Sequence, residues 1–218
     1  MSKKRKVFAI LLLIIILLIA GFVIYKQIKK TQEQKFLSQL KGEVVFTRRN
    51  ADGAFDIWKI NANGTGEVML YHHNYGGKAA NFNCSFPQWS DDGSKIYFIA
   101  MGNNDEWRVF EMDEDGKNVQ VAKNSADYEN PEGGSRLSRE DDIVVKEGDI
   151  YINKNGQEVK IYDHKGYYNQ DYAPGASEVS WSPDKKYIIF NEGGYIMIAD
   201  KNGNSAKLTK GSQPDWKY

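Results

Sequence analysis

The pattern of hydrophobic and polar positions divides the chain into two unlike parts. Residues 7 to 25 form an unbroken apolar run without charge or proline. From Gly42 onward, short runs rich in Val, Ile, Tyr, Phe and Trp alternate with turns rich in Gly, Asp and Asn, and no run of a dozen residues has the amphipathic period of a helix. The first part therefore predicts one long helix, and the second predicts an all-β domain.

The β part contains an internal repeat. Its copies share a leading Trp-Ser or Leu-Ser pair and an apolar strand that starts seven residues after that pair. The pairs are Trp89-Ser90, Trp181-Ser182, Leu137-Ser138 and, in more polar surroundings, Leu37-Ser38. A repeated unit of this kind indicates an architecture of similar modules that bury their faces against one another.

The remainder of each copy predicts a hairpin. A second β run follows the apolar strand, and a turn with the sequence NANG, DEDG, NKNG or DKNG then leads to a final short strand. Asn-Gly and Asp-Gly tolerate the positive φ that tight hairpin turns need. Four antiparallel strands in each of several copies are typical of β-propeller blades, with Trp and other aromatic side chains filling the space between blades.

Two copies carry a recognisable motif. PQWSDDGSKIYFIA with EMDEDG, and VSWSPDKKYIIF with ADKNGNSAKLT, resemble the TolB-type, WD-like β-propeller repeat. The resemblance covers residues 42 to 218; it is fair in the first copy and weak in the third, where Leu137 replaces Trp. TolB-type propellers usually have six blades and a separate N-terminal domain, whereas this sequence shows four copies after an apolar segment. The resemblance implies an all-β fold, here a small propeller with four blades of four antiparallel strands.

The C-terminal stretch QPDWKY repeats the opening of a blade. Propellers close when one end of the chain supplies a strand to the blade begun by the other end. The leading stretch of the first copy, KFLSQL, is a poor strand, so we expect residues 214 to 218 to pair with Val44 to Arg48 and to place Trp216 where Trp89 and Trp181 lie. An open array with an unpaired last strand is the alternative.

The apolar run has the length of a membrane span. At about 1.5 Å per residue, a helix over residues 7 to 25 nearly crosses a hydrocarbon core of about 30 Å. A cleaved signal peptide is the alternative, but its apolar region is usually shorter and no A-x-A site follows here. We expect a basic cytoplasmic tail (residues 1 to 6), a transmembrane anchor (7 to 25), a stalk (26 to 41) and an extracytoplasmic propeller (42 to 218).

Charge and cysteine content narrow the function. Residues 1 to 30 hold seven basic and no acidic side chains, so the remainder carries 22 basic against 29 acidic ones, a net charge of −7. Such a domain repels phosphate backbones, and we expect no nucleic-acid partner. The single Cys84 excludes an intrachain disulfide and fits a small buried side chain better than a nucleophile.

The long connections between repeats carry the candidate binding residues. Tyrosine gives a large amphipathic contact area and is enriched in binding surfaces, and all three histidines lie in these connections. Packing of the aromatic side chains onto the propeller is the alternative to binding. The candidates are Tyr71, His72, His73, Tyr75, Tyr128, His164, Tyr167, Tyr168 and Tyr172.

Neither a cofactor nor a metal is expected. The sequence has no nucleophile elbow, phosphate loop, dinucleotide fingerprint or H-E-x-x-H motif. Asp and Asn in DEDG and NADG do not follow the twelve-residue calcium loop and are explained by turn chemistry. Adjacent histidines seldom bind one metal together, so a metal cluster in the connections is the less favoured alternative to solvated histidines.

These features predict a non-catalytic protein-binding or scaffold module at the cell envelope, with an envelope or membrane-associated protein as partner. The alternative is a sensor that binds cell-wall glycan or peptide through the Tyr-rich connections. A small propeller enzyme with a site at the axial mouth is a third hypothesis, although the absence of catalytic motifs favours no enzymatic activity.

Overall fold

The computed structural model describes residues 3–72, 84–101, 107–123, 142–164 and 175–217. Helix α1 spans Lys3–Leu37, and the strands that follow it form four antiparallel sheets of three or four strands. The sheets are the blades of a small propeller, as the repeat predicted. The chain returns at its C-terminal end to complete the blade in which the β domain begins.

Blade 1 contains both ends of the β domain. Its strands are β1 (Glu43–Arg49), β2 (Phe55–Asn61), β3 (Val68–Tyr71) and β15 (Ser212–Lys217), in the order β15-β1-β2-β3. In the antiparallel pairing of β15 with β1, Trp216 lies opposite Val44 and Lys217 opposite Glu43. The predicted closure of the first blade by the C-terminal strand is confirmed.

The other blades follow in chain order. Blade 2 consists of β4 (Cys84–Trp89), β5 (Lys95–Met101), β6 (Trp107–Asp113) and β7 (Gln120–Val121). Blade 3 contains β8 (Ile143–Lys146), β9 (Asp149–Lys154) and β10 (Gln157–Tyr162). Blade 4 contains β11 (Ala176–Trp181), β12 (Tyr187–Glu192), β13 (Tyr195–Asp200) and β14 (Ser205–Lys210). The position predicted for the leading strand of blade 3, at Leu137, lies outside the described residues.

One register assignment differs from the sequence prediction. Leu37 and Ser38 were aligned with the leading Trp-Ser pairs, but Leu37 is the last residue of α1. The Ser38 N–H donates to the carbonyl of Gln34 at 2.9 Å, and the side-chain amide of Gln39 donates to the carbonyl of Lys35 at 3.0 Å. The helix therefore ends with satisfied carbonyl groups, and β15 occupies the place of the leading strand.

Within the described part of the chain, apolar clusters fill three of the junctions between neighbouring blades. Val44, Phe46 and Ile198 belong to the cluster between blades 1 and 4. Separate clusters join blade 1 to blade 2 around Phe98 and blade 3 to blade 4 around Phe190. Each of these phenylalanines is fully buried, and burial of such aromatic area is the main stabilising contribution of a propeller junction.

The leading tryptophans lie where the repeat placed them. Trp89, Trp181 and Trp216 are only 3, 6 and 6% exposed, and each is at or next to the end of its leading strand. Each of these tryptophans belongs to an apolar cluster at a blade junction, so its side chain fills space between two blades. The predicted burial of all three is confirmed.

Helix α1 joins the propeller only through its last turn. Its apolar side chains from Ile10 to Tyr25 are exposed, whereas Leu37 and the following Leu40 are buried in the cluster between blades 1 and 4. Among the described residues, α1 is the one helix long and apolar enough to cross a membrane. A signal sequence near an N-terminus can also form an apolar helix long enough to cross a membrane, and the helix itself does not give an orientation.

Candidate functional site

The topology assigns the connections and the anchor to opposite ends of the propeller. Strand β1 starts beside α1 at Glu43, so β1 and β3 run away from the helix and β2 runs back toward it. The connections that follow β3 and β10 therefore leave the propeller at the end far from α1, which we call the distal face. The turns that follow β4 and β11, together with Lys217, lie at the near end, the proximal face.

His72 begins the connection between blades 1 and 2 on the distal face. Its Nδ1 lies 2.8 Å from Oδ1 of Asp56, which also accepts a hydrogen bond of 3.1 Å from the side-chain amide of Asn50. The Asp56 side chain is 5% exposed, whereas that of His72 is 43% exposed. His72 is thus held by a buried carboxylate and still presents the remainder of its ring to solvent.

Tyr71 precedes His72 and faces the junction between blades 1 and 2. Its ring centroid lies 5.0 Å from that of Phe98, in the tilted arrangement that aromatic pairs favour. Burial raises the pKa of Tyr71, with a further contribution from Cys84. Tyr71 therefore packs against Phe98 at this junction, and its role as a binding residue stays a prediction.

His164 begins the connection between blades 3 and 4, and it is less exposed than His72 and makes more hydrogen bonds. Its Nδ1 lies 2.6 Å from Oε1 of Glu192, and its backbone N–H donates to Oδ1 of Asp149 at 2.7 Å. The hydroxyl of Tyr162 donates to the other oxygen of Glu192. The pKa of Tyr162 is raised, mainly because the side chain is buried and secondly because of this hydrogen bond. The carboxylate of Glu192 therefore links the end of blade 3 to blade 4.

The described candidates do not form one cluster. Tyr71 and His72 lie on blade 1 and His164 on blade 3, and both blades flank blade 4 instead of each other. The remaining candidates lie outside the described residues: His73, Tyr75, Tyr128, Tyr167, Tyr168 and Tyr172. Within the described part of the chain, no group of three or more His, Cys, Asp and Glu side chains could hold a metal ion.

Cys84 is placed as a structural residue. It is fully buried at the start of β4, and its thiol donates to the carbonyl of Phe55 at 2.7 Å. Burial, with a smaller contribution from the nearby Asp56 carboxylate, raises the pKa of the Cys84 thiol far above its usual range. A thiol held in this way is a poor nucleophile.

A pocket of about 420 Å³ opens on the proximal face at the ends of the leading strands. The three leading tryptophans, Ser182 and the buried Asp215 are among its lining residues. The indole faces already have neighbours: Nζ of Lys217 lies 3.8 Å from the ring centroid of Trp89, and Nζ of Lys201 lies 4.8 Å from that of Trp181. A ligand in this pocket would therefore meet polar groups and the edges of indole rings, because lysine side chains lie over the ring faces of Trp89 and Trp181.

A chain of hydrogen bonds along the leading strands was not predicted from the sequence. Oε2 of Glu178 accepts from the N–H of Gln213 at 2.6 Å, and Oε1 of Gln213 accepts from the N–H of Phe86 at 2.9 Å. Each of these residues stands three positions before a leading Trp. That fixed offset in the repeat was the available signal. Glu178 and Gln213 also share a side-chain oxygen that can accept a hydrogen bond, which Phe86 lacks.

Comparisons with known proteins give fold likeness only. No family model and no curated protein matches the chain. Among solved structures, TolB from Acinetobacter baumannii is 16% identical over 77% of this chain and 41% of its own, with a TM-score of 0.29. A protein described as TolB from Agrobacterium tumefaciens is 14% identical over 79% of this chain and 64% of its own, with a TM-score of 0.31.

A prolyl endopeptidase is also similar, at 16% identity over 87% of this chain and 33% of its own, with a TM-score of 0.29. The chain thus spans less than two thirds of the length of each of these proteins. Values this low assign neither family nor activity. The four-bladed architecture rests on the strand pairing of the chain itself.

Proposed function

We propose that the protein is a membrane-anchored, non-catalytic binding propeller that presents its distal face to an envelope or membrane-associated protein. The observation that carries this proposal is the separation of the two ends. Helix α1 and the closing strand meet at the proximal face, whereas the long connections leave from the distal face. An anchor in the membrane would hold the proximal face toward the bilayer and leave the connections free for a partner.

The length of α1 fits this arrangement. The apolar run ends at Tyr25, and the helix continues through Leu37 before the propeller begins. Twelve helical residues at 1.5 Å each span roughly 18 Å. Most side chains of this segment are exposed and polar, as a stalk in water requires.

A binding role also agrees with the state of the described candidates. His72 is oriented by Asp56 and remains partly exposed on the distal face, which suits a contact residue. Cys84 is buried, with its thiol committed to a backbone carbonyl, which does not suit a nucleophile.

The orientation can be tested with single cysteines introduced at His72 and at Lys186 in the full-length chain. Lys186 is the matched position on the proximal face, where its side chain is 72% exposed. Both cysteines should react with a membrane-impermeant maleimide from the extracytoplasmic side only, and the buried Cys84 should add little background. Labelling from the cytoplasmic side would overturn the proposed topology.

The binding face can be tested with a photo-crosslinking amino acid at the same two positions. A partner on the distal face should crosslink at His72 and not at Lys186. Crosslinking only at Lys186 would move the partner to the membrane-facing end, and crosslinking at neither site would contradict the proposal. Loss of binding to a glycan array in Tyr167→Ala and Tyr172→Ala variants would instead favour the carbohydrate sensor.

A further inference from the structure

We propose that the last turn of α1 and the closing strand β15 form a latch, so that anchor docking and ring closure are one cooperative event. The latch comprises residues 36 to 42 and Trp216 with Lys217. These two segments are the first and last parts of the propeller along the chain. They meet in blade 1 beside its junction with blade 4, and the pairing of β15 with β1 closes the ring by non-covalent contacts alone.

The first contact of the latch is a hydrogen bond from the closing strand to the end of the anchor segment. Nε1–H of Trp216 donates to the carbonyl of Lys41 at 3.0 Å. The indole is only 6% exposed, so loss of Lys41 from this position would leave a donor without its partner in a largely buried site. An unsatisfied buried donor is costly, which couples the position of Lys41 to that of Trp216.

The second contact is an aromatic stack that runs from the helix to the closing strand. The ring of Phe36 meets the ring of Tyr187 edge-on at 6.0 Å, and Tyr187 in turn stacks on Trp216 at 6.1 Å. Tyr187 belongs to blade 4, so this stack holds the helix, blade 4 and β15 together. Leu37 and Leu40 are 8 and 4% exposed in the same cluster as Val44 and Trp216.

The third contact is a close approach at Gly42 that only glycine permits. Gly42 has φ of +91°, and a Cβ on it would lie 2.0 Å from the carbonyl oxygen of Lys217 and 2.9 Å from Nε1 of Trp216. Its own carbonyl accepts from the N–H of Ala62 at 2.9 Å. The chain between anchor and β1 is thus pressed directly against the end of β15.

These contacts make the two segments a single unit of local unfolding. Undocking of residues 36 to 41 removes the hydrogen-bond acceptor of Trp216 and part of the apolar surface packed on it. Release of β15 in turn exposes Leu37 and Leu40. Coupling of this kind is reciprocal. One consequence concerns release from the membrane. A cut in the exposed stalk before Phe36 leaves the latch whole, whereas a cut after Leu40 frees a ring whose closing strand is loosened.

The test is hydrogen exchange on the full-length chain in lipid nanodiscs, with the Leu37→Ala and Trp216→Phe variants. Leu37→Ala should accelerate exchange in β15 by about tenfold or more, equivalent to about 1.4 kcal/mol, while β5 of blade 2 keeps its protection. Trp216→Phe keeps an aromatic ring but lacks the N–H, and it should accelerate exchange at the amide of Leu40, which donates to Leu37 at 2.9 Å.

Two results would overturn the latch. In the first, Leu37→Ala accelerates exchange in residues 36 to 41 but not in β15. In the second, exchange rises equally in all blades, as a general loss of stability would produce.

Gly42→Ala and Gly53→Ala form a matched control pair in the same blade. Both positions have positive φ, +91° and +85°, but a Cβ on Gly53 would meet nothing within 4 Å. Both variants share the conformational strain, and only Gly42→Ala adds the collision with Lys217 and Trp216. Gly42→Ala should therefore accelerate exchange in β15 at least about tenfold more than Gly53→Ala, and equal effects of the two would contradict the latch.

Discussion

The backbone N–H of Phe86 donates to the side-chain Oε1 of Gln213 at 2.9 Å, across the junction between blades 2 and 1. Both residues have positive φ, 51° and 53°, as does Glu178 at 52°. This backbone conformation is uncommon for residues other than glycine. In each of the three leading strands that the structure describes, it coincides with a break in the pairing register, which is the geometry of a β-bulge.

The bulges turn a backbone N–H of one blade toward a side chain of the neighbouring blade. Glu178 of blade 4 accepts from Gln213 of blade 1, and Gln213 accepts from Phe86 of blade 2. The register of three leading strands is therefore fixed by side chain to backbone hydrogen bonds as well as by the apolar clusters. The leading strand of blade 1 is β15, so this chain also depends on ring closure.

Gln213→Ala should destabilise the protein by about 1–3 kcal/mol, because the N–H of Phe86 and the hydroxyl of Thr47 lose their shared acceptor. Thermal unfolding of the full-length chain in detergent measures this change. Gln157→Ala is the control, since Gln157 is exposed on β10, and it should change stability by no more than about 0.5 kcal/mol. Equal effects of the two substitutions would mean that the hydrogen bonds accepted by Gln213 do not stabilise the protein.

Trp181→Ala should cost about 3–5 kcal/mol, because it removes a large side chain from the junction between blades 3 and 4. It also deprives Asp142 of the indole N–H that donates to it at 2.9 Å. Trp107→Ala is the matched control: Trp107 is 47% exposed, and its removal should be nearly neutral. A melting temperature for Trp181→Ala within a few degrees of the parent would mean that packing of this tryptophan between blades 3 and 4 contributes little to stability.

The sequence predicted the architecture because the determinants of a propeller are local and repeated. The spacing from Trp89 to Ile96 recurs from Trp181 to Ile188, and the Asn-Gly and Asp-Gly turns mark the hairpins. Ring closure was also predictable, since Trp216 carries the same signature. These features need no knowledge of long-range contacts.

The contacts that tune the candidate site could not be predicted, because they join residues far apart in sequence. Nothing in the sequence connects His164 to Glu192. The shared offset of Phe86 and Gln213 from a leading Trp marks equivalent positions but does not show that the two residues form a hydrogen bond. The assignment of Leu37 to a leading strand was wrong for a related reason: local spacing matched the repeat, but the preceding polar segment continues as a helix. The candidates on blades 1 and 3 were grouped because they lie in the long, Tyr-rich connections between repeats, and that position does not bring residues of opposite blades together.

Glu178→Gln should raise stability at neutral pH and reduce its dependence on pH. Burial raises the pKa of Glu178, and the hydrogen bond from Gln213 opposes this only in part. The native state therefore holds the proton more tightly than the unfolded chain, so this residue favours folding at low pH. That contribution is lost as pH rises from the ordinary carboxyl range through the raised pKa. Melting temperatures of variant and parent should converge at acidic pH, and a variant less stable than the parent at pH 8 would contradict this.

Glu67→Gln should show the opposite pH dependence. The hydrogen bond from Arg48 lowers the pKa of Glu67, with further contributions from Thr209 and from the Arg48 charge. Stability from this pair is present above the ordinary carboxyl pKa and is lost as pH falls through the lowered value. The variant should thus be less stable than the parent at pH 7 and equal to it well below pH 4. A deficit that persists unchanged into that acidic range would mean that charge is not its cause.

Removal of residues 213 to 218 should open the first blade. The deletion takes away Trp216, which pairs opposite Val44, and Asp215, whose Oδ2 accepts from the buried N–H of Trp89 at 2.7 Å. It leaves the edge of β1 without its neighbour, and an unpaired edge invites pairing with another molecule. Trimming an ordinary frayed terminus usually costs little, so a large effect distinguishes a closing strand from a tail.

Hydrogen exchange and size-exclusion chromatography in detergent measure the two consequences of this deletion. Amides of Val44 to Thr47 should change from slow to fast exchange, while the hairpin of β5 and β6 in blade 2 is less affected, because its pairing does not involve the deleted strand. The truncated chain should also elute as larger species. Substitution of Lys217 and Tyr218 alone by alanine is the milder comparison, since it keeps Trp216 and the backbone pairing. Free exchange of the amides of residues 215 to 217 in the intact chain would show that β15 does not close the ring in solution.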